Sequence, residues 1–267
     1  EYTSYKIVQR MKTMNVFLKH IYEYEQKGIR IITKYDEEYP QILSKKMKKN
    51  APTCLFVVGN LPVEFEGISL TGLQTVTKKE KSCIKRLVDK INNENKWLIS
   101  NDCKGVDQEA FQYALHHHGH IISFLCEKME DKAMEYKRYI RSGNLVLLSA
   151  IDPIKRFTVT HAIDRNSYVC GLSKFQVVVS SKINSGATWF TIMHNMHHNW
   201  TISLVIDNDC FGNQRLLEMK TTPLYVKNIV SDMSFEMIYN ENKKEEVEEE
   251  INIDQMSIFE FIGDANG

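Results

Sequence analysis

The chain has 267 residues, 43% of them hydrophobic and 25% charged, the profile of an ordinary soluble globular protein with enough apolar side chain for one α/β domain with additions or two small domains. Its 34 Lys and Arg balance 34 Asp and Glu, so no global positive field holds it on nucleic acid, and any such binding must come from a local patch. The sequence contains no run of about eighteen apolar residues, and its opening, EYTSYKIVQR, lacks the basic-then-apolar order of a signal peptide, so a cytoplasmic chain without a membrane span is expected.

The charge is uneven along the chain. Residues 1–50 carry eleven Lys or Arg against six Asp or Glu, whereas residues 241–267 carry two against nine. Near the start, Val8, Met11, Met14, Phe17, Leu18, Ile21 and Tyr22 recur at helical spacing, which predicts one or two short helices in a basic N-terminal extension over residues 1–50. The run Gly28-Ile-Arg-Ile-Ile-Thr reads as a strand, Pro40 as a helix start, and Thr53 to Asn60 as a second strand ending in a turn.

From Gly67 the rhythm changes to short apolar runs separated by helical segments of roughly ten to fifteen residues, as in βαβ units. Strands are predicted at Ile68 to Thr71, Trp97 to Ser100, Ile121 to Cys126, Leu145 to Ser149, Gln176 to Ser180 and Ile202 to Ile206. Most are apolar throughout, as strands covered on both faces must be. Between them lie predicted helices near Lys78 to Asn92, Val106 to His118, Asp131 to Ser142, His161 to Cys170, Ala187 to His197 and Gln214 to Met219, with Gly119 and Gly143 where helix C-caps belong. The fold expected is therefore α/β, with a parallel or mostly parallel sheet covered by helices on both faces, over residues 51–239. The last stretch, 240–267, begins as NENKKEEVEEE and continues as INIDQMSIFEFIG, an acidic linker and a C-terminal docking segment.

In such a sheet, ligands bind beyond the carboxyl ends of the strands, where helix N-termini present free N–H groups. Four predicted turns there carry small or polar residues. Thr71 is followed by Gly72, Leu73 and Gln74; Ser100 by a loop with Asp102, Lys104 and Gly105, then Asp107 in the next helix; the fifth strand by Ser185, Gly186 and Thr188; the last by Gly212, Asn213 and Arg215. If the four meet, they form a cleft for an anion or nucleotide; βα turns also favour such residues for capping alone.

The series GIRIITKYDEEYPQIL, NAPTCLFVVGN, ISLTGLQ, SNDCKGVD, DRNSYVCGLS, VVVSSKINSGAT and FGNQRLL, over residues 28 to about 229, resembles the DprA (Smf) DNA-processing family. The resemblance implies a Rossmann-like domain that binds single-stranded DNA, helps load a RecA-type recombinase and works as a homodimer; separately, no cofactor and no metal are expected. The family's G-S-R loop is similar to Gly72-Leu73-Gln74, so an amide stands where an arginine is usual. Its S-G-x-A-x-G-I-D motif is similar to Ser100 to Asp107, and its R-N-R to Arg165, Asn166 and Ser167, so a second arginine is replaced. Arg165 beside Asn166 is either a ligand-binding pair or half of an Asp164–Arg165 structural bridge.

Two readings follow. One is a module that holds single-stranded DNA in DNA processing, recombination, transformation or defence, without turnover. The other is an N-glycosidase or nucleotide hydrolase using Asp102, Asp107 or Asp164, with a nucleotide-signal sensor as a third option. Lys104, Lys182 and Arg215 offer cations, and Trp97, Phe111, Tyr168, Trp189 and Phe211 offer either stacking faces or core packing. The histidines at 116–118 and 120, and at 194, 197 and 198, sit in last helical turns and are read as capping groups rather than metal ligands. The six cysteines contain no C-x-x-C pair and are read as reduced, buried thiols. The acidic tail is read as a linker or as a mimic that competes with phosphates.

Overall fold

The computed structural model describes residues 18–153, 155–219 and 221–243. Residues 18–26 form helix α1. Then come β1 (Arg30–Thr33), α2 (Gln41–Met47), β2 (Cys54–Val58), β3 (Gly67–Thr71), α3 (Lys78–Asn93), β4 (Trp97–Ser100), α4 (Val106–His116), β5 (His120–Leu125), α5 (Met129–Glu135), α6 (Lys137–Arg141) and β6 (Leu145–Ser149). The chain continues with α7 (Val159–Leu172), β7 (Ser173–Val178), α8 (Gly186–His198), β8 (Ile202–Ile206), α9 (Phe211–Leu217), β9 (Thr222–Leu224), α10 (Val226–Ile229) and α11 (Phe235–Asn242).

These strands make one nine-stranded sheet in the order β1-β2-β6-β5-β4-β3-β7-β8-β9. From β6 to β9 every pairing is parallel, and β1 and β2 add an antiparallel edge. The connections run outward from β3 through β4, β5 and β6, then return through α7 to β7 on its other side. That reversal places a crevice where β3 and β7 end, the position at which open α/β sheets take their ligands.

Both faces are covered because the strands are apolar on both sides. On one face Ile68, Leu70, Phe175 and Val177 pack beneath α3 and α4; on the other Ile99, Ile122, Phe124 and Val146 meet α2 and α7, while Val178 and Val205 meet α8 and α9. In α3, Ile84, Leu87, Val88 and Ile91 keep helical spacing on the buried side, and Thr77 and Glu80 close a capping box at its start.

Within the first fifty residues β1 joins the sheet by pairing with β2, and α2 packs on α7 through Leu43 and Met47. The segment predicted as one helix over Asp131 to Ser142 is two, with Tyr136 at φ −103° and ψ 18° between them. The strand β9 escapes the sequence pattern because it has only three residues and contains Pro223, which an edge strand tolerates. The helix after β8 begins three residues earlier than predicted, so Gly212 and Asn213 are helical rather than part of a loop. The helix expected before residue 18 and the acidic segment beyond 243 lie outside the described residues.

Candidate functional site

A cleft of about 520 Å³ opens beyond the carboxyl ends of β3, β4, β5 and β7, between α7 and α8. Three of the four predicted turns meet there, and Gly72, Gln74, Lys104, Asp107, Ser185, Gly186 and Thr188 all line it. The turns are locked to one another. Thr188 Oγ1 donates to the Gly72 carbonyl at 2.8 Å, Leu73 N to Ser180 Oγ at 3.3 Å, and Val106 N to the Leu73 carbonyl at 3.2 Å. Gly105 makes the last contact possible: its φ is +96°, and a Cβ there would sit 2.2 Å from the Leu73 carbonyl oxygen.

The loop after β4 is organised by Asp107, which is buried. Its carboxylate accepts from Ser100 Oγ at 2.9 Å, Asn101 N at 3.2 Å and Cys103 N at 3.0 Å, so it holds the loop instead of facing a ligand. Burial pushes its carboxyl up to about 6, against the opposing pull of those bonds and of the nearby Arg165 charge. Asp102 is paired with Lys132 at 2.8 Å. Asp164 is exposed on α7 and is not among the lining residues.

Arg165 is the unusual group. It is 8% exposed, and its guanidinium donates to Cys103 Sγ at 3.0 Å, to Cys126 Sγ at 3.2 Å and to Asn166 Oδ1 at 3.1 Å. Among the described residues no carboxylate lies within 4.0 Å of it, so the Asp164–Arg165 bridge is not formed; Asp107 acts on it only through space. Burial pushes the Cys103 thiol up to about 11 and raises that of Cys126, so both are neutral acceptors at ordinary pH. The cation is thus held in place without a contacting counter-charge. Asn166 fixes its orientation, accepting also from Asn101 Nδ2 at 3.0 Å and donating to Thr191 Oγ1 at 3.2 Å. Ser167, one turn position from the pair, is bonded to the Ile163 carbonyl and to His194 instead.

The fourth turn is elsewhere. Gly212, Asn213 and Arg215 are absent from the cleft lining. Asn213 is fully buried, donates to the carbonyls of Val179 at 3.1 Å and Ile206 at 3.0 Å, and accepts from Ser181 Oγ at 2.9 Å. Arg215 pairs with Glu218 at 2.6 Å on the surface. Of the aromatics, Phe111 and Trp189 are core residues, Tyr168 packs on Phe124, Trp97 on His120, and Phe211 is 82% exposed outside the cleft. His116 and His117 each turn a ring nitrogen to the carbonyl one turn back, and among the described residues no group of three His, Cys, Asp or Glu is placed to hold a metal ion.

Several lining residues were not anticipated. Lys128 and Lys132 follow β5, and the same rule that singled out the other strand ends would have found them. Phe157, half-exposed, stands at the cleft mouth. Cys103 and Cys126 read as inert thiols, and Ser69 and Gln176 are hidden in strands; no local signal marks any of the four.

The family model described as DNA recombination-mediator protein A matches residues 30–234. Among solved structures, DNA processing protein A from Streptococcus pneumoniae is similar at 20% identity and a TM-score of 0.66, over 80% of this chain and 78% of that one. DNA processing protein A from Helicobacter pylori, whose structure is described as giving insight into a unique single-stranded DNA binding mode, is similar at 17% identity and a TM-score of 0.62, over 75% of this chain and 92% of that one. No curated protein matches the chain. Among the described residues no helix is long and apolar enough to cross a membrane. The family match runs from the first strand of the sheet to the cap of α11, well over half of the sequence, and the chain belongs to the DNA recombination-mediator protein A family.

Proposed function

We propose that the cleft binds single-stranded DNA through its phosphates and presents it for recombination without turning it over. The observation that carries this reading is Arg165, a buried cation whose contacts are two neutral thiols and an amide rather than a carboxylate. A guanidinium so placed is satisfied enough to stay ordered, yet keeps its charge for an incoming anion, and phosphate suits its planar donor fork. Exposed Lys104 and Lys128 and the first N–H groups of α8 add to the same side of the cleft. The family membership and the single-stranded DNA described for the Helicobacter pylori protein support the choice of polymer. Delivery to a RecA-type recombinase and action as a homodimer belong to the same proposal.

The test is fluorescence anisotropy of a labelled single-stranded oligonucleotide over a salt series, with wild type and Arg165→Met. A charge-assisted hydrogen bond is worth roughly 1.5–3 kcal/mol, so the variant is expected to bind ~10–150-fold more weakly. Unchanged affinity overturns the cleft reading, and free base released in proportion to protein and time overturns the absence of turnover.

A further inference from the structure

Two thiols of the cleft share one cation. Cys103 and Cys126 both line it, and Arg165 donates to each, through Nη2 at 3.0 Å and Nη1 at 3.2 Å. The fork of a single guanidinium thus spans the two sulfurs, as it would span two oxygens of an anion. The register of the sheet brings the same two cysteines together. Ser100 on β4 pairs in parallel with Ser123 on β5, and each cysteine lies three residues beyond its serine. Neighbouring strands run about 4.7–4.9 Å apart, within the ~4.4–6.8 Å that a disulfide needs between its Cα atoms. Cys170 and Cys210 are engaged separately, with Gln176 and with the backbone of Ser181, so among the described residues Cys103 and Cys126 are the cysteines with a common partner.

Resting on the DNA-binding reading above, we propose that Cys103 and Cys126 are an oxidation site: a hydroperoxide closes them to a disulfide, Arg165 is displaced, and single-stranded DNA is released until a dithiol reductant reopens the pair. Both thiols are free, and Cys103, half-buried at the cleft, is the one a small oxidant meets first. Its thiolate attacks a peroxide oxygen, the O–O bond breaks, and the departing hydroxide leaves as water with a proton, giving a sulfenic acid. The Cys126 sulfur then attacks that sulfur; the S–O bond breaks, the S–S bond forms, and the second hydroxide takes the Cys126 proton. Two thiols lose two protons and two electrons, and hydrogen peroxide becomes two waters.

The disulfide changes what holds the cation. Its sulfurs stand about 2.0 Å apart, closer than two unbonded sulfurs, so the guanidinium cannot keep one on each arm of its fork. The loop after β4 moves with Cys103, whose backbone N–H donates to Asp107 at 3.0 Å. Arg165 loses its orientation and the phosphates lose Arg165. The Arg165 charge favours the Cys103 thiolate, but burial outweighs it and pushes the thiol up to about 11, so closure is slow at neutral pH and quickens as the pH rises.

The full chain is treated with hydrogen peroxide, and its mass and its unreduced tryptic peptides are compared with those of the untreated chain. Cleavage after Lys104 separates the two cysteines, so the expected product has lost the mass of two hydrogens and yields one linked pair of peptides. By fluorescence anisotropy the linked chain is expected to bind a labelled single-stranded oligonucleotide roughly tenfold more weakly, the lower end of what a charge-assisted hydrogen bond supplies, and dithiothreitol to restore it. Cys126→Ser is expected to form no link and to bind equally before and after peroxide; if it does not fold, Cys103→Ser serves. No linked pair, a link through another cysteine in its place, or a fully linked chain of unchanged affinity overturns the proposal. If the reduced chain binds no oligonucleotide, the DNA reading falls and the release step with it; if it binds and peroxide makes no difference, only the oxidation site fails.

Discussion

The loops after β4 and β8 look alike in sequence and behave oppositely. Each carries a glycine at or near the start of the following helix, and each glycine has a backbone carbonyl too close for any side chain: Leu73 O lies 2.2 Å from a Cβ built on Gly105, and Ser181 O lies 2.1 Å from one on Gly212. After Gly105 the polar groups organise the loop itself, with Asp107 gathering Ser100 and two backbone amides, and Lys104 stays exposed beside the cleft. After Gly212 comes Asn213, whose amide bonds the chain at the ends of β7 and β8 together. A glycine in a βα turn therefore reports that one loop packs on another. Whether the turn also binds something depends on where the next polar side chain directs its hydrogen bonds.

The largest expected effect sharpens that contrast. Asn213→Leu takes the amide away from the Ile206 carbonyl and the Ser181 hydroxyl in the interior, at roughly 1–3 kcal/mol for each unsatisfied group, while the Val179 carbonyl keeps Asn208 Nδ2 at 2.9 Å. A loss of about 3–5 kcal/mol in urea unfolding is expected, with oligonucleotide affinity of the folded fraction unchanged. Gly105→Ala does the reverse. The positive φ alone stores about 1–3 kcal/mol of strain in a residue with a Cβ, and the clash with Leu73 pushes apart the two loops that frame the cleft. Its stability loss is expected to be smaller than that of Asn213→Leu, while oligonucleotide affinity falls at least tenfold. If Gly105→Ala binds as wild type does, or if Asn213→Leu binds poorly while folded, the two loops do not differ as described.

The parallel half of the sheet was legible because its strands are apolar on both faces, as at Ile121 to Leu125 and Leu145 to Leu148, and because Gly and polar residues punctuate them. The antiparallel edge was legible as strands but not as part of the sheet, since pairing of Arg30 with Val57 is a long-range fact. The site was half legible. Turn residues at strand ends could be named from the pattern, but the pattern treats Gly212 and Gly105 as equivalents. The thiols that hold Arg165 of α7 stand beyond the ends of β4 and β5, and the pairing of Ser69 with Gln176 joins residues more than a hundred positions apart. Periodicity within a segment carries no information about such meetings.

A smaller effect should appear in the pH dependence of stability. Burial raises the Asp107 carboxyl to about 6 from an ordinary value of 3.8, so between roughly pH 4 and pH 6 the folded chain holds a proton that the unfolded chain has released. The contribution of Asp107 to stability is therefore fully present below pH 4 and is lost as the pH rises through 6, by about 2–3 kcal/mol. Asp107→Asn removes this dependence. Urea unfolding of wild type and variant at pH 4, 5, 6 and 7 should show a difference that changes across that window, and a constant offset would mean that Asp107 titrates normally. Asn213, in the corresponding place after β8, does not titrate, so no such window is expected from that loop.

The smallest effect separates the two loops by charge alone. Lys104 and Arg215 stand in comparable positions beside their turns, both exposed, but Arg215 is paired with Glu218 and lies outside the cleft, whereas Lys104 lines it. Each phosphate contact to a single strand contributes about 0.7 to the slope of log K against log salt, because each neutralised phosphate releases part of its condensed counterion. Lys104→Ala should thus reduce the slope by about 0.7 and weaken binding only a few-fold at moderate salt. Arg215→Ala should leave both quantities unchanged. Equal reductions in the two variants would place the DNA across β8 as well, and would mean that the packed loop after it borders the path of the strand.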